Sequence, residues 1–147
     1  MKWMAMELWI IYGILASLSF GSIVVLNKIT LGKGMDPFLM LVLMALGILG
    51  VFAIAMLFTN PDLKANPTTI GLSLLAGILW GIGQLFVIFA LLNNADVARL
   101  TPIFNTNTLV AVALGMILLK EVPAGDVRLK VIVGAILIVV GGILVSG

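Results

Sequence analysis

The chain has 147 residues, of which 63% are hydrophobic and 10% are charged, and its formal net charge is +2. Such a composition leaves too little polar surface to cover a soluble all-α core of this size. Because cysteine and histidine are absent and the basic residues are dispersed, we expect no disulfide, no imidazole metal site, no cofactor and no nucleic-acid partner.

Long apolar runs predict an all-α integral membrane protein with five transmembrane helices. An α-helix rises about 1.5 Å per residue and a hydrocarbon core is roughly 30 Å thick, so about 20 apolar residues span it. The first run exceeds the roughly 7–15 residues of a signal-peptide core, and we interpret it as a retained span. The predicted spans are residues 8–27, 37–58, 69–92, 98–119 and 131–146, in a single domain of residues 1–147.

Short polar breaks separate these spans. The first, from Asn27 to Pro37, contains Gly32 and Gly34 for a turn and ends in a proline typical of a helix start. Before the third span, Asn66 is a candidate helix cap. The link of residues 93–96 is so short that the third and fourth spans are expected to be antiparallel neighbours.

The distribution of basic residues predicts the orientation in the cell membrane. Five of the eight lie on the side of the N-terminus, which favours a cytoplasmic N-terminus, although a margin of two also permits insertion in both orientations. The five are Lys2, Lys64, Lys120, Arg128 and Lys130, and the other three are Lys28, Lys33 and Arg99.

An odd number of spans places the two termini on opposite sides of the membrane. A second copy joined in tandem would therefore be inverted, which is a common way of building transporters, and a lone unit can pair with an inverted copy of itself. We expect a homodimer, antiparallel by preference, with a parallel two-fold dimer as the alternative. The fifth span is the candidate seam, because it carries Gly134 and Gly141 on one face, with Ala135 and Gly142 beside them.

Polar side chains inside the apolar runs are the candidate substrate-binding residues, since polar groups in hydrocarbon need partners. Trp80 and Gln84 share one face of the third span. In the fourth span, Thr101, Asn105 and Thr108 follow helical spacing. The alternative is structural, because hydroxyls often bond the preceding turn and amides often join helices. The predicted site comprises Ser17, Trp80, Gln84, Asn105 and Thr108.

Acidic residues are missing from the middle of every predicted span. Glu7, Asp96 and Glu121 all lie at or near span ends. Proton-coupled transporters usually need an ionisable group at depth, so facilitated transport is a serious option. The sequence contains no nucleophile–base pair that would indicate an enzyme.

The sequence resembles the drug/metabolite transporter superfamily, in particular its EamA-like repeats. The matching stretches are LAGILWGIGQLFVIFALLNNADVARLTPIFN and LLKEVPAGDVRLKVIVGAILIVVGGILV. The resemblance implies one half of an inverted-repeat fold that is usually ten spans long, and a transporter working by alternating access. The stretch WGIGQ from Trp80 to Gln84 is similar to the glucose/ribose uptake branch, which implies a sugar-like small molecule.

Two other functions stay open. A multidrug or amine exporter of the small multidrug resistance type would need a cationic site, yet Ser17 stands where that branch has its proton-binding glutamate. A non-transporting membrane scaffold would instead bond the amides of the third and fourth spans to each other, with no cavity between them.

Overall fold

The computed structural model describes the backbone of residues 2–146 and the side chains of residues 8–145. Every regular element in this part of the chain is a helix. Met1 and Gly147, which the predicted domain includes, and the side chains of Lys2 and Glu7 lie outside the described residues. The helices are α1 (Lys2–Gly32), α2 (Pro37–Thr59), α3 (Pro67–Leu92), α4 (Val97–Phe104), α5 (Asn107–Leu118) and α6 (Asp126–Ser146).

The prediction of an all-helical membrane protein is confirmed. Among the described residues, five helical segments are long and apolar enough to cross a membrane, with mean hydropathies from 1.4 to 2.8. The fourth of these contains both α4 and α5. The segments are Leu8–Gly32, Pro37–Thr59, Pro67–Leu92, Val97–Leu118 and Asp126–Val145.

Side-chain caps fix where the second and third spans begin and end. The Asp36 carboxylate accepts from the backbone N–H groups of Phe38 and Leu39, both at 2.9 Å, and satisfies two donors that a helix start leaves free. Asn66 does the same for Thr69 at 2.8 Å. At the far end of α2, Asn60 takes the left-handed conformation (φ 44°), and its N–H donates to an earlier carbonyl.

Two helices extend beyond the predicted spans. The first span was predicted to end at Asn27, but α1 continues to Gly32, so Asn27 and Lys28 lie inside the helix rather than in a turn. The last helix begins at Asp126, five residues before the predicted start of its span at 131. In both cases charged side chains, Lys28 in α1 and Arg128 and Lys130 in α6, lie about one turn from a helix end, where they can reach the interface.

The chain divides into two compact units, which are described separately. The terminal unit holds the described residues up to Val24 together with those from Asn94 onward. Within it, α4 and α5 both contact α6. Ala135 and Gly142, two small residues of α6, are buried. Close packing in the terminal unit therefore centres on α6.

The central unit holds residues 25–93. Its buried residues lie near the helix ends that adjoin the turns at 33–36 and 93–96. By contrast, every residue from 49 to 80 is exposed, which covers the distal halves of α2 and α3. The buried set is Asn27, Met40, Ile88 and Leu91.

Candidate substrate site

The five predicted site residues fall in different units. Ser17, Asn105 and Thr108 belong to the terminal unit, whereas Trp80 and Gln84 belong to the central unit. The structure brings Asn105 and Thr108 into direct contact, because the N–H and hydroxyl of Thr108 donate to the Asn105 carbonyl at 3.1 and 2.9 Å. Ser17 lies on an exposed stretch of α1.

The fourth span is interrupted at its centre. A proline has no N–H and clashes with the preceding turn, so Pro102 weakens the helix around it. In a continuous α-helix the Thr106 N–H would donate to the Pro102 carbonyl. Here it donates to the Ile103 carbonyl at 3.2 Å, and the Thr106 hydroxyl donates to the same oxygen at 2.7 Å. The chain then starts α5 at Asn107.

This interruption alters the predicted spacing of the polar cluster. Thr101, Asn105 and Thr108 were expected on one face of one continuous helix. The Asn105 N–H still donates to the Thr101 carbonyl at 3.1 Å, so these two keep their helical relation. Thr108, however, follows the turn and begins a separate helix. The Thr101 hydroxyl oxygen is enclosed without a hydrogen-bond partner in the described part of the chain.

A glycine of α6 packs against the interruption. A Cβ atom placed on Gly142 would lie 2.9 Å from the Pro102 carbonyl oxygen and 3.1 Å from Cγ2 of Thr106. Only a residue without a side chain permits this approach. The Ala135 and Gly142 face of α6 is therefore used inside the chain. A Cβ atom on Gly134 or Gly141 would meet nothing within 4 Å, so that face remains uncovered by the described residues.

Thr108 opens onto a groove of about 300 Å³ within the terminal unit. Thr108 lines this groove, and Glu121, in the connection from α5 to α6, is its one lining residue with a charge. The other lining residues are apolar. The lining residues are Thr108, Ala111, Val112, Gly115, Met116, Glu121, Pro123 and Val131.

The backbone reverses at Glu121, which lines the groove. Lys120 has the left-handed conformation (φ 56°), and the Glu121 N–H turns back to the Gly115 carbonyl at 3.2 Å. This wide turn ends α5 much as a helix C-cap does. Gly115 and Glu121, which this hydrogen bond joins, both line the groove.

In the central unit, Gln84 presents an unsatisfied polar atom. Its Oε1 atom is enclosed, yet it accepts no hydrogen bond from the described residues. Trp80, one turn earlier on α3, is 39% exposed. An enclosed amide acceptor without a partner is unfavourable and rare in folded proteins, and it marks a place where a ligand or water can bind.

Most other hydroxyls within the spans are satisfied locally. Ser19, Ser22 and Ser73 each donate to the carbonyl four residues earlier, at 2.8 to 3.0 Å. Their role is structural, as expected for isolated serines in membrane helices. Ser17 makes no such bond among the described residues, which distinguishes it from its neighbours.

Sequence reasoning missed Asn27, Gly142 and the groove position of Glu121. Asn27 was predicted to be the boundary of the first span, where the polar break begins. The signal that could have placed it inside the helix is the pair of apolar residues that follow, Ile29 and Leu31. Gly142 was assigned to a dimer seam, because spacing alone cannot show whether a small residue faces a neighbour in the same chain.

Charged groups near the termini of the terminal unit are used structurally. The Arg99 guanidinium donates from Nε to the Val145 carbonyl at 3.2 Å. A cation at a helix C-terminus is favourable, because the last carbonyls lack helical partners and carry partial negative charge. Among the described residues, no group of three acidic or metal-ligating side chains could hold a metal ion.

These features define a multi-pass membrane protein with an interrupted helix and partnerless polar atoms within its spans. Residues 7–147 match the EamA-like transporter family, and the chain belongs to that family. Two relatives, from Listeria monocytogenes and Listeria innocua, bear the name "Putative sugar uptake protein". Each is 35% identical over 106 residues, which is 70% of this chain and 35% of the relative. The match thus spans about a third of each relative's length. No solved structure matches the chain.

Proposed function

We propose that the chain transports a small neutral solute with several hydroxyl groups, such as a sugar or polyol, by alternating access. The observation that carries this proposal is the enclosed Oε1 atom of Gln84, which has no partner among the described residues. An amide oxygen in an apolar span can accept from a solute hydroxyl. The half-exposed ring of Trp80, on the preceding turn, offers an apolar surface for the CH face of such a solute.

In the terminal unit, Ser17, Asn105 and Thr108 are proposed to contact the solute as well. The groove that Thr108 lines has a volume of about 300 Å³, which is large enough to hold water molecules. Membrane proteins tolerate irregular backbone at depth where it is covered by protein or lines a water-filled cavity. The interruption after Phe104 meets that condition, and discontinuous helices are common at transporter binding sites.

Two rival functions have less support. An amine exporter needs a negative charge at depth, and the apolar spans have none in their interiors. A scaffold would require the Gln84 amide to be fully bonded within the protein, but its Oε1 atom accepts no bond from the described residues. The names of the two Listeria relatives favour a sugar-like solute over both rivals.

The proposed transporter is a homodimer of inverted copies in the cell membrane. One five-span unit leaves residues 49–80 exposed and leaves the Gly134 and Gly141 face of α6 open. A second copy can cover apolar surface and small-residue faces of this kind. The five-to-three distribution of basic residues favours a cytoplasmic N-terminus while permitting the inverted copy.

Reconstituted protein tests the proposal. Proteoliposomes are assayed for uptake of radiolabelled sugars, amino acids and quaternary amines. We expect saturable sugar uptake, and about a tenfold loss of kcat/KM in Gln84→Ala and in Asn105→Ala, because each removes polar groups that contact the solute. Ser22→Ala is the matched control, since that hydroxyl is already bonded to Leu18. Unchanged uptake in both amide variants would contradict the site, and uptake of amines alone would contradict the substrate class.

A further inference from the structure

The central unit contains a second enclosed polar atom without a partner. Asn27 is 3% exposed, and its Nδ2 atom donates no hydrogen bond to the described residues. Nearly all buried amides in folded proteins have partners, so this one requires an explanation. Asn27 lies in the same compact unit as Gln84, whose Oε1 atom is also unpartnered.

The two residues lie at similar distances from the ends of their helices. Asn27 is five residues before the end of α1, and Gln84 is eight residues before the end of α3. At about 1.5 Å per residue, they lie roughly 7 and 12 Å from those ends. Because α1 and α3 cross in the same direction, both ends are on one side of the membrane. The difference of about 5 Å is one helical turn.

The two atoms are chemically complementary. Nδ2 can only donate a hydrogen bond and Oε1 can only accept one. A hydroxyl group does both, so one hydroxyl placed between them satisfies both atoms. A carboxylate would satisfy Nδ2 and repel Oε1, whereas an ammonium group would do the opposite. The pair thus discriminates in favour of a neutral hydroxyl.

We propose that Asn27 is a substrate-binding residue, and that its Nδ2 atom and the Oε1 atom of Gln84 together bind one hydroxyl of the solute. This inference rests on the proposed function, because it names a new residue and a specific contact within the same site. The competing explanation is a permanent structural water that bridges the two amides. Such a water would support the fold without discriminating among solutes.

Solute analogues that lack one hydroxyl separate these explanations. Purified protein in detergent is titrated with D-glucose, D-ribose and their monodeoxy analogues, and binding is measured by isothermal calorimetry. We expect one monodeoxy analogue to bind wild-type protein about tenfold more weakly than its parent sugar, the factor that roughly one or two net hydrogen bonds supply. In Asn27→Ala and in Gln84→Met, that particular penalty should fall below about twofold.

The control variant is Asn93→Ala. Asn93 is an amide of the same unit, near the same ends of the helices, but its Nδ2 atom already donates to the Phe89 carbonyl at 2.8 Å. Its removal should leave the penalty for every analogue unchanged. Melting temperatures measured without sugar verify that each variant is folded.

The outcomes distinguish the two levels of the proposal. If neither sugar binds wild-type protein, the proposed substrate class is overturned and the inference with it. If sugars bind but Asn27→Ala keeps the wild-type penalty for every analogue, the role of Asn27 alone is overturned and a structural water is favoured. Loss of the penalty in Gln84→Met but not in Asn27→Ala also overturns the role of Asn27, while the proposed function stands.

Discussion

The two units of the chain differ in how tightly their helices are packed, although both are strongly apolar. Mean hydropathy is 2.8 for α2 in the central unit and 2.4 for the α6 segment in the terminal unit. Yet α6 buries Ala135 and Gly142 against neighbouring helices, whereas α2 is exposed from residue 49 to its end. Hydrophobicity alone does not drive helices together in lipid, because acyl chains are equally apolar. Close packing follows small residues and matching shape.

The units also differ in how their polar groups are satisfied. In the terminal unit, the hydroxyls of Thr106 and Thr108 donate to backbone carbonyls within the interruption, and the Thr101 hydroxyl is the enclosed polar atom without a partner among the described residues. In the central unit, the amides of Asn27 and Gln84 keep enclosed atoms without partners. A satisfied polar group stabilises a local backbone shape, whereas an unsatisfied one is free to bind a solute. The central unit is accordingly the stronger candidate for recognising the substrate.

The largest expected effect concerns what covers the exposed helices of the central unit. Cysteines introduced at Lys33 and at Lys64, in turns on opposite sides of the membrane, are treated in intact cells with a membrane-impermeant maleimide. If an inverted copy provides the cover, both positions are labelled from outside, because both orientations are present. The native chain has no cysteine, so the background is clean. Labelling of Lys33→Cys alone, with Lys64→Cys labelled only after permeabilisation, would exclude the inverted copy. A parallel dimer or a monomer would then be the remaining arrangements.

The next largest effect tests the close packing of the terminal unit. Gly142→Ala places a methyl group 2.9 Å from the Pro102 carbonyl oxygen, a backbone atom that cannot rotate away. We expect destabilisation of about 1–3 kcal/mol, which is typical of overpacking. A melting temperature several degrees lower in detergent would show this. Gly141→Ala, whose new methyl group meets nothing within 4 Å, should melt as the wild type does. Equal melting of the two variants would contradict the intramolecular role of Gly142.

The number of spans and several of their ends could be predicted from the sequence, because these depend on local properties. The length of an apolar run determines whether it crosses the membrane, and Asp36 and Asn66 cap the helices that follow them. The interruption after Phe104 could not be predicted. Pro102 weakens the helix locally, but the turn lies where α6 approaches through Gly142, which is a tertiary contact.

The candidate site was predictable only in part. Gln84 was selected because an amide has more hydrogen-bonding capacity than one neighbour fills, and its Oε1 atom has no partner among the described residues. Asn27 was overlooked because a polar pair at the end of an apolar run resembles a turn. Its burial, at 3% exposure, is a property of the folded chain that the neighbouring sequence does not indicate.

A smaller effect is expected from an experiment on the groove of the terminal unit. It shows whether this groove contains water, in contrast to the exposed surface of the central unit. Met116 lines the groove, whereas Ile117 is 70% exposed and lies outside the groove lining. Each residue is replaced by cysteine in a separate variant. We expect cationic methanethiosulfonate reagents to label Met116→Cys about fivefold faster than anionic ones, because a nearby carboxylate is worth about 1 kcal/mol there. Ile117→Cys should react with neither reagent if it faces lipid.

Two charge variants decide whether Glu121 causes that preference. Glu121→Gln should abolish it, whereas Asp126→Asn removes an acidic residue outside the groove lining and should not. If the two variants have equal effects, the preference reflects the net charge of the connection between α5 and α6 rather than the Glu121 carboxylate in particular. If Met116→Cys reacts with neither reagent, the groove is dry and does not lead solute to Thr108.

The smallest expected effect is that of a pH gradient on transport. In the central unit, the acidic residues Asp36 and Asp62 lie outside the helices, so the proposed solute recognition there would involve no proton acceptor at depth. Proteoliposomes with an imposed pH gradient should therefore accumulate sugar less than twofold above equilibrium, with or without a protonophore. Uphill accumulation that a protonophore abolishes would mean that a carboxylate of the terminal unit couples proton movement to transport. Glu121→Gln would then test whether Glu121 is that carboxylate. If this variant loses uphill accumulation but retains downhill exchange, Glu121 binds the proton and not the solute.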